Sequence, residues 1–200
     1  MKKIIEHYDT LIEENNDPVY DPFPLKEYMD KWDGQIFIDS LQLSPNKDVL
    51  EIGVGTGRLA LRVCGECNTF YGIDISPKTI ERTTENLKHF DNCTFICADF
   101  MEYQFNKSFD VIYSSLAFIH ISNKRMAIEK TARLLKANGI FVLSISKSQD
   151  KYLEMNNTKL DLFPAMPEEI KEMFNELGLA LKDFFETEFA FVFIGIQRPK

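Results

Sequence analysis

Three carboxylates in the first half of the chain, Glu51, Asp74 and Asp99, each stand at or just past the end of a short apolar run. The first opens a glycine cluster, Glu51-Ile52-Gly53-Val54-Gly55-Thr56-Gly57-Arg58. Glycines at 53, 55 and 57 let the backbone turn sharply and approach a ligand closely. Taken alone, such a cluster also fits a tight strand-to-helix turn that binds nothing. Its spacing departs from the dinucleotide fingerprint G-x-G-x-x-G, because Arg58 occupies the position of the last glycine. A dinucleotide brings a pyrophosphate, which a row of carboxylates repels. Carboxylates at the carboxyl ends of successive strands suit a cation that carries hydroxyl donors, and open α/β sheets bind their ligands at that edge. From the end of its run, Asp74 can accept both hydroxyls of a ribose.

The elements that must position these groups form a repeating pattern. From about residue 47 onward, short β-rich runs alternate with helical ones, which predicts βαβ units, a mostly parallel sheet and an α/β fold. The strands expected are Val49–Ile52, Thr69–Ile73, Thr94–Cys97, Val111–Ser114 and Ile140–Ile145. Ser76-Pro77 reads as a helix start, with a capping hydroxyl and a proline at the first helical position, and that helix is expected to reach about Phe90. A second helix begins near Ser122 and runs to Asn138-Gly139, read as its carboxyl-terminal cap, with a hairpin turn as the alternative. The pattern loosens from Lys147 to Pro167, and a helix over Glu168–Leu177 stops at Gly178. Leu181–Glu186 and Phe189–Ile196 read as two antiparallel strands. The second is apolar on both faces and so belongs inside the sheet. Residues 1–43 form a helical preamble, with one apolar stripe at Ile4, Ile5, Tyr8, Leu11 and Ile12. Another follows at Leu25, Tyr28, Met29, Trp32, Ile36 and Phe37. Residues 44–200 complete one globular domain.

The chain has 200 residues, 44% hydrophobic and 27% charged, enough for one sheet-centred core, and a net charge of -8. That charge, with no Lys/Arg run, argues against a nucleic-acid partner. Glu6, His7 and Asp9 interrupt the first apolar stretch before a signal-peptide core forms, and no window approaches the about 18 apolar residues of a membrane span. A cytoplasmic location is expected. Cys64 and Cys67 are spaced C-x2-C, and Cys93 and Cys97 C-x3-C. Zinc or redox chemistry is one reading of such pairs. Packing is the better one, since the first pair falls where a helix ends and the second in an expected buried strand. No metal site is expected.

Several stations in order resemble the class I S-adenosylmethionine-dependent methyltransferases. They are Glu51-x-Gly53-x-Gly55-x-Gly57, Gly72-Ile73-Asp74-Ile75-Ser76, Ala98-Asp99-Phe100, the run Phe109 to Ser115, and Leu134-Leu135-Lys136 with Gly139. The likeness is closest over about residues 47 to 146. It implies a Rossmann-like doubly wound sheet in three α/β/α layers, with an antiparallel last strand beside the fifth. It also implies S-adenosylmethionine as cofactor. Gly53, Gly55 and Gly57 would then border its methionine part, with Ser114 contributing through its backbone. Asp74 would hold the ribose, Asp99 the adenine amino group, and Ile75 and Phe100 the adenine faces, while Glu51 completes the acidic lining. The preamble would cover the cofactor, with Tyr8, Tyr20 and Trp32 as contacts or as ordinary helix packing.

Methyl transfer to carbon, oxygen, nitrogen or sulfur needs positioning above all, so a dedicated base is optional. His120 follows the fourth strand near the site, but a packed structural histidine is the preferred reading, and no catalytic residue is assigned. No Asn-Pro-Pro-Tyr or Asp-Pro-Pro-Tyr follows the fourth strand, and no Pro-Cys pair occurs. A small-molecule methyl acceptor is therefore expected, chosen by the loops at 101–108 and 147–167. Two other readings compete: a non-catalytic protein that binds S-adenosylmethionine, and an NAD-dependent oxidoreductase on a similar sheet.

Overall fold

The computed structural model describes residues 2–155 and 158–199. Its helices are α1 (Lys2–Glu13), α2 (Phe23–Asp30), α3 (Gly34–Ser40), α4 (Ala60–Val63), α5 (Pro77–Asn86), α6 (Lys124–Leu134) and α7 (Pro167–Glu176). Its strands are β1 (Asp48–Ile52), β2 (Thr69–Asp74), β3 (Cys93–Cys97), β4 (Phe109–Ser115), β5 (Leu135–Ser146), β6 (Tyr152–Met155), β7 (Thr158–Asp161), β8 (Leu179–Glu186) and β9 (Ala190–Gln197). Seven strands form one sheet in the order β3-β2-β1-β4-β5-β9-β8. The first five are parallel, and β9 runs antiparallel to both β5 and β8. As its two apolar faces required, β9 lies inside the sheet. Chain order reverses beside β1, which places the crevice of a doubly wound sheet at the carboxyl end of that strand.

Successive strand residues face opposite layers. Leu50, Ile52, Phe141 and Leu143 pack with Phe118, Ile170 and Phe174 on one side, and Val49, Val142 and Tyr113 pack with Phe37 and Val63 on the other. Helices thus cover both faces, giving the three layers expected. Ser76 caps α5 as its position implied, its hydroxyl accepting from Thr79 N at 3.1 Å.

Several expectations need correction. The second helix ends at Leu134 rather than at Asn138-Gly139. Leu135 instead pairs with Phe109 across an irregular step in the ladder, and Lys136 reaches Asp110 and Asp48 at 2.7 and 2.9 Å, so the chain is already extended there. The helix after Ser76 stops at Asn86, four residues short of Phe90. The single stripe from Leu25 to Phe37 is split into α2 and α3, because Asp33 leaves the helical region and its carboxylate caps Gly34 N at 2.7 Å. The loosely patterned stretch before Pro167 contains the antiparallel pair β6–β7, and residues 156–157 lie outside the described residues. Cys97 is exposed and Cys93 half-buried because β3 is an edge strand, whereas Cys64 and Cys67 are buried. Among the described residues, no group of three or more His, Cys, Asp or Glu side chains is arranged to hold a metal, and no helix is long and apolar enough to cross a membrane.

Candidate active site

A cavity of about 550 Å³ opens where β1, β2 and β3 end. Its floor is the glycine turn. Gly53, Gly55 and Gly57 all adopt positive φ, at 78°, 56° and 96°. The amides of Gly53 and Val54 donate to Ile73 O at 2.8 and 3.1 Å, which folds the turn back over β2. A side chain at Gly53 would collide with Ala117 Cβ, so this close approach requires glycine. At Gly55 no heavy atom lies within 4 Å of the place a Cβ would take, leaving the loop's backbone open toward the cavity. Ile4, Tyr8, Leu11 and Ile12 of α1 supply the roof.

The lining is acidic. Asp74 accepts from Gly55 N and Ser76 N, each at 3.1 Å. Burial pushes its carboxyl above the ordinary carboxylate range despite those bonds. Glu51 is 3% exposed and accepts from Tyr113 Oη at 2.8 Å. Burial raises its pKa to about 8, with the Tyr113 bond and the Arg58 charge opposing the rise. Asp99 Oδ1 accepts from Met101 N at 2.8 Å, which fixes the turn after β3. Among the described residues, Arg58 is the only Arg or Lys lining the cavity. Its guanidinium forks onto both carboxylate oxygens of Asp33, so its charge is already matched.

Of the residues expected at a cofactor site, Glu51, Gly53, Gly55, Asp74, Ile75, Asp99 and Phe100 line this one cavity. Gly57 and Ser114 do not. Gly57 N donates to Val54 O and turns the chain toward α4. Ser114 is fully buried and donates to Ile52 O at 2.8 Å, while its neighbour Ser115 lines the cavity. Of the three aromatic contacts expected from the preamble, only Tyr8 reaches the cavity. Tyr20 is 70% exposed, and Trp32 packs against Phe189 with ring centroids 5.3 Å apart.

A family model described as a methyltransferase domain matches residues 43–183. This chain belongs to the methyltransferase domain family. Its sheet is that of class I, the S-adenosylmethionine-dependent type that its ordered stations resemble. An uncharacterized methyltransferase of Anoxybacillus flavithermus is 29% identical over 181 residues, covering 86% of this chain and 84% of that protein. The fold is similar to that of the DhpI–SAH complex, at a TM-score of 0.79 and 14% identity over 100% of this chain and 97% of that one. It is also similar to magnesium protoporphyrin IX methyltransferase of Synechocystis with bound SAM, at a TM-score of 0.75 and 15% identity over 97% and 95%.

The cavity of this methyltransferase suits a cationic nucleoside cofactor. Alongside the acidic rim, Thr56, Thr79 and His120 line the cavity, and among the described residues Thr79 Oγ1 and His120 Nδ1 are buried without a hydrogen-bond partner in the protein. His120 Nε2 lies 2.7 Å from Tyr8 Oη. Burial, with the charges of His7 and Lys124, lowers the imidazole pKa to about 4, so the ring is neutral at physiological pH.

Other residues of the site escaped the sequence reading. Asp33 is 1% exposed, and besides capping α3 and binding Arg58 it accepts from Ser115 Oγ at 2.9 Å. Asp9 of α1 accepts from Ser76 Oγ at 2.6 Å and Lys78 N at 3.3 Å, docking the roof onto the start of α5. Asp17 Oδ2 takes Arg82 and Asn86, each at 3.1 Å, and Asn86 also donates to Thr56 O at 2.9 Å. Only Asp33-Gly34 carried a local signal, an acidic N-cap before a helix.

Proposed function

We propose that this methyltransferase binds S-adenosylmethionine across the glycine turn and transfers its methyl group to a small-molecule acceptor. The observation that carries the reading is the convergence of Glu51, Asp74 and Asp99 on one cavity in which Arg58 is already paired with Asp33. Such a lining repels a pyrophosphate and attracts a cation. The cofactor supplies a methyl carbon already activated by a sulfonium.

Asp74 accepts the ribose hydroxyls, and Asp99 accepts from the adenine amino group. Ile75 and Phe100 hold the adenine faces. Glu51 and the backbone of Gly53 and Gly55 hold the methionine end. α1 closes over the cofactor and excludes water. Holding donor and acceptor in line is worth up to about 7–11 kcal/mol of barrier, so positioning alone supplies most of the catalysis.

A small acceptor fits the half-open cavity, whose outer part is lined by α1, by Leu116 and Ala117, and by residues 120–123. The net charge of -8 weighs against a nucleic-acid acceptor.

Asp74→Ala is expected to abolish calorimetrically measurable S-adenosylmethionine binding while the far-ultraviolet circular dichroism stays that of the parent. Unchanged affinity in this variant would refute the assignment.

A further inference from the structure

The four cysteines lie outside the cavity lining, and folding pairs them differently from their spacing in the chain. Cys64 opens the 3-10 turn Cys64–Glu66 that follows α4, Cys93 opens the edge strand β3, and their sulfurs are 2.9 Å apart. A disulfide bond measures about 2.05 Å, so the pair can close with a shift of about 1 Å. Asn92 holds the two backbones together. Its side-chain amide donates to Cys64 O at 2.8 Å and to Cys67 O at 3.1 Å, and its own carbonyl accepts from Phe70 N at 2.9 Å. Cys67, the C-x2-C neighbour, spends its thiol on Cys64 O at 3.7 Å, and burial pushes its pKa up to about 12. Cys97 ends β3, four residues and about 13 Å along the strand from Cys93.

The two thiols of the close pair differ in access. Cys64 is 1% exposed, whereas Cys93 is half-buried on the edge strand and meets solvent. The hydrogen bond between them lowers the Cys93 pKa and raises that of Cys64, so Cys93 is the one that supplies a thiolate. We propose that Cys64 and Cys93 are an oxidation site, which a hydroperoxide converts into a disulfide that staples β3 to the segment leaving α4. The Cys93 thiolate attacks one peroxide oxygen, the O–O bond breaks, and the departing hydroxide takes up a proton as water, leaving a sulfenic acid on Cys93. The Cys64 sulfur then attacks the Cys93 sulfur. The S–S bond forms, the S–O bond breaks, and the Cys64 proton leaves with the hydroxyl as a second water. Two thiols are oxidised and one peroxide is reduced to two waters. The staple acts where the sheet is weakest, because β3 pairs with β2 alone and none of its five residues is fully buried. On the other side it grips α4, whose Ala60 and Val63 are fully buried. The link sits at the amino end of β3 and the cavity at its carboxyl end, so closure steadies the edge strand without entering the cavity.

The test treats the reduced full chain with hydrogen peroxide, blocks the remaining thiols by alkylation and maps the tryptic peptides by fragmentation mass spectrometry. Peptides Val63–Lys78 and His89–Lys107 are expected to be joined through Cys64 and Cys93, with Cys67 and Cys97 alkylated. Because the link closes a loop of about 30 residues in the unfolded chain, the thermal midpoint of the oxidised protein should lie at least about 4 °C above that of the reduced one. Amide exchange over Cys93–Cys97 should slow in parallel. The double variant Cys67→Ser/Cys97→Ser should keep both the link and the rise, and Cys93→Ser should lose both. A link from Cys64 to Cys67, or oxidation of Cys97 with Cys64 and Cys93 still free, overturns the proposal. So does an oxidised parent whose midpoint stays level or falls, or a peroxide-driven rise that survives in Cys93→Ser. Should Cys93→Ser fail to fold, the peptide map and midpoint of the parent chain decide the matter by themselves.

Discussion

Glu51 carries an acid into the interior with Tyr113 as its hydrogen-bond donor. Its folded pKa of about 8 lies above the ordinary 4.5, so in the free protein it is mostly protonated near neutrality. A bound cation favours the ionised form, and binding must therefore release a proton. Cofactor affinity is expected to rise as pH climbs from 6 toward 8 and to level off above. Glu51→Gln should bind more weakly and show no such slope; calorimetry in buffers of different ionisation enthalpy reads both. The stability of the free protein moves the other way. An acid whose folded pKa is raised weakens the fold as pH rises through the window from 4.5 to about 8, because ionisation is easier in the unfolded chain. Melting of the Gln variant should lack that component.

The glycine turn is held from outside by the short helix α3. Arg58, just past the last glycine, is 17% exposed in its side chain, and its partner Asp33 is 0% exposed. Asp33→Ala strands a buried guanidinium and removes the cap of α3, and should cost about 3–5 kcal/mol, measured as a fall in urea midpoint. The roof is attached more lightly. None of the residues of α1 is fully buried, and Asp9 ties it to Ser76 and Lys78. Asp9→Ala should leave the urea midpoint unchanged, speed amide exchange over Lys2–Glu13, and weaken cofactor binding about tenfold. A variant that lowered the midpoint without touching exchange would show that α1 belongs to the core rather than to a cover.

The whole molecule is knitted together on the far side of the sheet from α3. Phe174 of α7 is fully buried between Phe141 of β5 and Phe193 of β9, at ring centroid distances of 5.5 and 6.0 Å. One side chain thus joins the last parallel strand to the inserted antiparallel one. Phe174→Ala is expected to cost about 3–5 kcal/mol, seen as a lowered thermal midpoint, while the cavity and its cofactor affinity persist in the folded fraction.

The alternation of strands and helices, the capped start of α5 and the place of β9 inside the sheet were all readable in the chain. So were the glycine turn and the acids around it. Each is written in periodicity, in neighbours a few residues apart, or in which faces of a strand must be covered. The end of α6 was misread because the choice between a helix cap and an extended chain at Lys136 depends on Asp48 and Asp110, which lie on two other strands. That the Ser115 side chain lines the cavity while the Ser114 hydroxyl is spent on Ile52 O likewise depends on how β4 meets β1. Tyr8 and His120 are 112 positions apart and 2.7 Å from one another. Asp33 with Arg58, and Asp9 with Ser76, are likewise brought together only by folding. Such contacts leave no mark in local sequence, because their free energy comes from burial and pairing that exist only once the layers have closed over the sheet.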